Sequence, residues 1–219
     1  MDLHERAYRG QNDWQAIAEL IGADMLFHHQ IDFPWRLCST TLEDARNAAI
    51  WEDEQGVMRV FAALHFPWLT IDCAIHPNVR TWELEARVLN WSETRLKQIA
   101  VETNDSFPFN VSVGTEEAER INFLEKLGYT RWENYMVVMT RALTDIPDPK
   151  LPPGFSIRSF GGASEVEQYA ELQRKAFDST TMTPLWRSHT LQAPLYNPDL
   201  DLVAVAPDGR LAGFCIWWY

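Results

Sequence analysis

The chain has 219 residues, 46% of them hydrophobic, and a net charge of −12. That charge argues against a nucleic-acid binder, which needs a basic face, and is compatible with a cationic partner or simply with solubility. Cys38, Cys73 and Cys215 are too few and too scattered for a disulfide framework or a CxxC site, as expected in a reducing cytoplasm, and no apolar stretch reads as a signal peptide or membrane span.

Arg6 to Arg9 reads as a first strand, and Asp13 to Leu26 as a helix with Trp14, Ile17, Ile21 and Met25 on one stripe. His28 and His29 follow. Adjacent residues on a helix diverge and no carboxylate or cysteine stands at ligand spacing, so no metal is expected there. Thr40-Thr41-Leu42-Glu43 matches a capping box and predicts a helix from Thr41 to Ala48 or Ala49. Ala49–Glu52 and Met58–His65 read as strands around the turn Asp53-Glu54-Gln55-Gly56.

Leu69 to Ile75 reads as a buried strand, with Leu69, Ile71, Cys73 and Ile75 on one face. His76-Pro77-Asn78 ends it, because proline cannot donate to a ladder and asparagine favours turns. Thr81 is the expected N-cap of a helix that runs to about Gln98 with Leu84, Val88 and Trp91 on one stripe. Ile99–Thr103 reads as a further strand. The next helix is expected from Thr115, with Ile121, Leu124 and Leu127 facing the core, Lys126 in its last turn and Gly128 as its C-cap. Arg131–Leu143 supplies a final strand or hairpin. A strand that passes through a loop into a helix start leaves backbone N–H groups pointing outward, and such a place can hold a pyrophosphate.

Residues 144–154 carry four prolines and read as an extended linker. Beyond it the pattern restarts: a strand over Phe155–Phe160, a helix over Ser164–Phe177, then strands over Leu200–Ala206 and Arg210–Tyr219 around Pro207-Asp208-Gly209. Gln55-Gly56-Val57-Met58-Arg59-Val60-Phe61 parallels Asp208-Gly209-Arg210-Leu211-Ala212-Gly213-Phe214, an internal repeat of whole units. The expected fold class is α/β of the α+β kind, a mixed and mostly antiparallel sheet flanked by helices, over residues 1–143. Residues 155–219 then form the N-terminal half of a second copy.

The stretch from Thr70 to Leu96 resembles the acetyl-CoA-binding motif of the GCN5-related N-acetyltransferases, a strand, His-Pro and then R-x-x-G-x-G/A opening a helix; His76-Pro77-Asn78-Val79-Arg80 fits it. Phe123-Leu124-Glu125-Lys126-Leu127-Gly128-Tyr129 resembles the family's closing signature, and the restart resembles its tandem members. The resemblance implies the acyl-CoA N-acyltransferase fold, acetyl-CoA as cosubstrate and a small-molecule or peptide amine as acceptor. It places the cofactor on Cys73, Ala74, Ile75, Arg80, Thr81, Trp82, Glu83, Leu84 and Glu85. Glu83 and Glu85 stand where the family has glycines. They put bulk and negative charge at the phosphates, or simply stabilise a helix N-terminus. Leu124 stands at the family's tyrosine position and cannot protonate a thiolate. The catalytic candidates are Asp72, a base or else a solvated or hydrogen-bonded strand residue, and Tyr135, a proton donor or else a packing residue. Two readings follow: an acetyltransferase whose first unit is weak or inactive, or a non-catalytic module for binding, scaffolding or dimerisation. The strand at the end of the half-copy is expected to present an open edge, to be paired by the first unit or by a second chain in a homodimer.

Overall fold

The computed structural model describes residues 2–24, 26, 33–106, 108–133, 136–137, 139, 141–142 and 144–218. The first sheet has the order β1-β2-β3-β4, formed by His4–Ala7, Ala48–Glu52, Met58–His65 and Thr70–Ile75, all antiparallel. Alternation sorts its side chains onto two faces. Ile50, Phe61, Ala63 and Ala74 face helix α1 (Trp14–Ala23) and the short helix α2 (Phe33–Leu37). Trp51, Val60, Ala62, Cys73 and Ile75 face helix α3 (Trp82–Thr103), while Leu64 and Ile71 meet α3 and helix α4 (Ala118–Lys126) through Leu89, Ile99 and Leu124. With helices on both faces, β3 is buried along nearly its whole length.

Several expected elements shift. The first strand lies two residues earlier, at His4–Ala7, so that Tyr8 turns into the core and donates no ladder bond beyond Ala7. Helix α1 begins at Trp14 and stops at Ala23; Met25, His28 and His29 lie outside the described residues. The helix expected from Thr41 is replaced by two 3-10 turns, Thr40–Glu43 and Ala45–Asn47, because Ser39 and then Asp44 each cap the backbone two residues on and restart the chain. Leu69 is not in β4; it sits at φ 51 where the Phe66–Trp68 turn ends. No strand forms at Ile99–Thr103, which continues α3. Val88, Ser92, Arg95 and Ile99 make one buried stripe, and Val101 is 83% exposed, as a helix permits and a core strand does not. Helix α4 starts at Ala118 rather than Thr115, and Leu127 is exposed instead of facing the core. Gly128, at φ 95, lets Tyr129 N–H reach back to Leu124 O and close the helix. Of the strand expected at Arg131–Leu143, residues 134, 135, 138, 140 and 143 lie outside the described residues and the others form none.

The second sheet, β5-β6-β7, is formed by Ser156–Ser159, Asp201–Val205 and Leu211–Ile216, also antiparallel. Helices α5 (Val166–Ala176) and α6 (Pro184–Thr190) stand between β5 and β6 as α1 and α2 stand between β1 and β2. Both sheets carry a register shift in the strand before their hairpin, at Trp51/Glu52 and at Ala204/Val205. Both hairpins turn on an aspartate and a glycine at positive φ, Asp53 with Gly56 and Asp208 with Gly209.

The two units share a core. Helices α2 and α6 each carry a Trp-Arg pair, Trp35-Arg36 and Trp186-Arg187. The rings of Trp35 and Trp186 lie 5.4 Å apart, Trp186 Nε1 donates to Trp35 O (3.0 Å), and Trp186 meets Trp68 edge-on at 5.5 Å. Arg187 is fully buried between the faces of Phe160 and Tyr169 and is paired with Asp201. Replacing Trp186 by alanine is expected to cost about 3–5 kcal/mol of unfolding free energy in urea denaturation. Because the core is shared, one transition should be seen; two separable transitions, with the first unit's unmoved, would count against it.

Candidate functional site

The site suggested by the sequence is the turn between β4 and α3. His76 leads into a 3-10 turn over Pro77–Val79, and its Nδ1 accepts from Asn78 N–H at 3.2 Å. Thr81 is the N-cap of α3, its Oγ1 accepting from Leu84 N–H at 3.1 Å. Val79, Arg80 and Glu85 N–H go to His76, Pro77 and Thr81 carbonyls. Five amides of the turn are thus engaged within it, and no glycine stands between Gly56 and Gly114 to let the backbone close on a phosphate.

The charges around the turn decide what it can hold. Glu85, in the first turn of α3, is 1% exposed. Its Oε1 accepts from Arg120 Nε at 2.7 Å and its Oε2 from Arg80 Nη1 at 3.3 Å. Arg80 Nη2 also donates to Asp24 Oδ2 at 2.6 Å, and Arg120 Nη1 to Glu117 Oε2 at 3.4 Å. Asp24 Oδ2 accepts from Ile75 N–H at 2.9 Å, fastening the end of α1 to the end of β4. Three carboxylates therefore alternate with two guanidiniums. Burial alone would lower the Arg120 pKa, but Glu85 beside it more than offsets this and raises it. Burial, reinforced by Glu85, pushes the Cys73 thiol up to about 12.

The remaining expected cofactor residues divide. Cys73, Ala74 and Ile75 are buried in β4, Cys73 and Ile75 toward α3 and Ala74 toward α1. Leu84 is half-buried. Glu83 and Thr81 are exposed, as is Trp82, which packs on Phe123 with ring centroids 4.9 Å apart. Glu83 and Glu85 thus do not act together: one faces solvent, the other is the centre of the ion chain. A bound acetyl-CoA does not fit these residues, since Arg80 and Arg120 already hold a carboxylate.

Asp72 is hydrogen-bonded rather than solvated. It lies 3.2 Å from Arg36 Nη1 and 3.3 Å from His65 Nε2, and is 2% exposed. Arg36 Nη1 also donates to Thr70 Oγ1 at 2.9 Å, and its guanidinium lies over Trp68 at 4.6 Å. Trp68 is covered in turn by Trp186 of the second unit, so the carboxylate is enclosed. Tyr135 lies outside the described residues. Leu124 is a core residue against Leu64 and Ile99. Tyr129, three residues past the end of α4, donates its hydroxyl to Glu93 Oε1 at 2.9 Å, and burial followed by that carboxylate raises its pKa. Asp24, Arg120, His65 and Arg36 have no motif around them that announces a site. Two cavities, about 260 Å³ beside the second half of α3 and about 110 Å³ between Ile21, Phe33, Leu37 and Leu195, lie away from the turn. Among the described residues no His, Cys, Asp or Glu group is arranged to hold a metal, and no helix is long and apolar enough to cross a membrane.

No family model matches the chain. It is similar to acetyltransferases. It is 35% identical over 81 residues to the mycothiol acetyltransferase of Salinispora tropica, a match that spans 35% of this chain and 26% of that protein. Among solved structures it is similar to a GCN5-related N-acetyltransferase from Sphaerobacter thermophilus (18% identity, 99% of this chain, 72% of that one, TM-score 0.49). It is also similar to the glucosamine-6-phosphate N-acetyltransferase of Arabidopsis thaliana (14% identity, 65% of this chain, 99% of that one, TM-score 0.42).

Burial also fixes which thiols react. Cys38 and Cys73 are buried, and burial, the leading cause for both, raises each thiol to about 12. At about pH 8 they stay protonated, and the thiolate is the reactive form. A disulfide-exchange reagent should therefore titrate the exposed Cys215 quickly in the native protein and all three cysteines after denaturation. Rapid native labelling of Cys73 would show that β4 is open to solvent.

Proposed function

We propose that this chain belongs to the GCN5-related N-acetyltransferases and that its reaction class is transfer of an acetyl group from acetyl-CoA to an amine, of a small molecule or a peptide. The observation that carries this reading is the β4–turn–α3 segment, where His76-Pro77 ends the last strand of the first sheet and Arg80 and Thr81 open a helix, as the family motif does. The likeness to mycothiol acetyltransferase, confined to 81 residues, points the same way. The matching order of elements in the two units supports a tandem arrangement with residues 155–219 as the first half of a second copy. A cytoplasmic setting agrees with three free cysteines.

Within that class, residues 1–143 serve as a supporting unit. Acetyl transfer needs a group to take the amine proton and one to protonate the leaving thiolate. Here Asp72 is enclosed with Arg36 and His65, and a leucine fills the tyrosine position. The Glu85 ion chain favours the non-catalytic reading for this unit over an active one.

Calorimetric titration of acetyl-CoA at low salt tests both levels. The wild-type chain should not saturate, whereas the double variant Glu83→Gly, Glu85→Gly should bind measurably, even though each glycine costs the helix start some entropy. Low-micromolar affinity in the wild type would overturn the supporting role. A folded double variant that gains nothing would overturn the assignment of this turn to acetyl-CoA.

A further inference from the structure

The two sheets differ at one edge and one face. In the first, β3 is paired along its outer edge by β4, and helices cover both faces. In the second, β7 pairs with β6, and among the described residues no other strand borders it. The ladder fixes which backbone groups are left over. Trp217 N–H donates to Leu200 O on the β6 side, and neighbours along a strand alternate in direction, so the N–H and C=O groups of Phe214 and Ile216 point away from β6. The face that α3 covers in the first sheet is bare in the second, where Ile157, Cys215 and Trp217 share it and are exposed.

Open edges invite further strands, and charge guards against this. β1 carries His4, Glu5 and Arg6, and β5 carries Arg158, whereas Leu211 to Trp218 holds no charged residue. Phe177, 65% exposed with its ring 6.2 Å from that of Phe214, widens the apolar border. A net charge of −12 keeps copies of the chain apart over most of their surface, and this neutral stretch is where two can approach. The strand is also complementary to itself. Two copies laid antiparallel about a two-fold axis at Cys215 set Phe214 opposite Ile216, so that their outward groups exchange hydrogen bonds. The same register sets Trp217, 61% exposed, opposite Gly213, whose missing side chain leaves it room.

We propose that β7 is the interface of a homodimer, in which two copies of this chain join their second sheets edge to edge around Cys215. The joined sheet runs β5-β6-β7 in one protomer and β7-β6-β5 in its partner. The proposal stands on the edge geometry and is independent of the acetyl-transfer reading.

The test is the mass of the full chain in solution, by sedimentation and light scattering under reducing conditions. The wild type should show twice the 25.3 kDa of one chain. Cys215→Lys sets two like charges directly opposite each other while leaving the ladder with β6 intact, and should be a folded monomer. Cys215→Ser should remain a dimer. Amide exchange reads the same edge. Phe214 and Ile216 N–H should exchange about tenfold or more faster in Cys215→Lys than in the wild type, while Trp217 N–H, bonded to Leu200 O, should stay protected in both. If Cys215→Lys does not fold, Trp217→Lys, at another exposed side chain of the same face, takes its place. A wild type that is monomeric at every concentration overturns the proposal. So does a dimer that survives the lysine, or exchange at Phe214 and Ile216 equally fast in wild type and variant.

Discussion

Two guanidiniums closing on one buried carboxylate hold the first unit together where four elements meet. Asp24 ends α1, Arg80 precedes α3, Glu85 lies in its first turn and Arg120 belongs to α4. A charge taken out of water is costly unless it is paired and hydrogen-bonded, and removing one partner of a buried pair costs about 3–5 kcal/mol because the other is stranded. Here each charge inside the chain has a neighbour of opposite sign, and the outer carboxylates also accept backbone amides that the strand and turn leave over. The arrangement thus completes the hydrogen bonding of β4's end and of two helix starts. The same contacts occupy the donors that a diphosphate would need.

On the opposite face of the sheet the constraint is apolar. Asp72, His65, Arg36 and Thr70 form a second polar group, in which the Asp72 carboxylate is paired with Arg36 and faces His65 under the roof of Trp68. Trp186 completes the roof, and Trp35 reaches into the other unit toward Tyr169. The second unit is therefore part of the first unit's core as well as a repeat of its strand order. Its own buried arginine, Arg187, is stacked between two rings and paired with Asp201, so each unit places a Trp-Arg helix at the shared surface.

The hairpin of Ala48–Glu52 and Met58–His65 was legible because two apolar runs flank the polar turn Asp53-Glu54-Gln55-Gly56, and the hairpin around Asp208-Gly209 could be read for the same reason. The reach of α3 was not legible. Ile99-Ala100-Val101 is β-prone locally, and only contacts with Leu64 and Leu124, distant in sequence, select the helix. Thr81 as a cap and Arg80 beside it were local signals and stand where the pattern put them. The partners of that site were not local: Asp24 is 56 residues from Arg80, and Arg120 is 35 from Glu85. A glutamate in the first turn of a helix ordinarily faces solvent, and nothing near Glu85 in the sequence distinguishes it from Glu83. The distinction comes from helical phase, which turns one toward α4 and the other to water.

Glu85 is held by its two arginines as the centre of the ion chain, and a double-mutant cycle measures this most directly. Unfolding free energies of the wild type, Glu85→Gln, Arg120→Met and the double variant give the coupling between the two side chains. A coupling of about 2 kcal/mol or more, with the double variant less destabilised than the sum of the singles, is the result predicted here. A coupling within about 0.5 kcal/mol of zero, the range of independent sites, would contradict it.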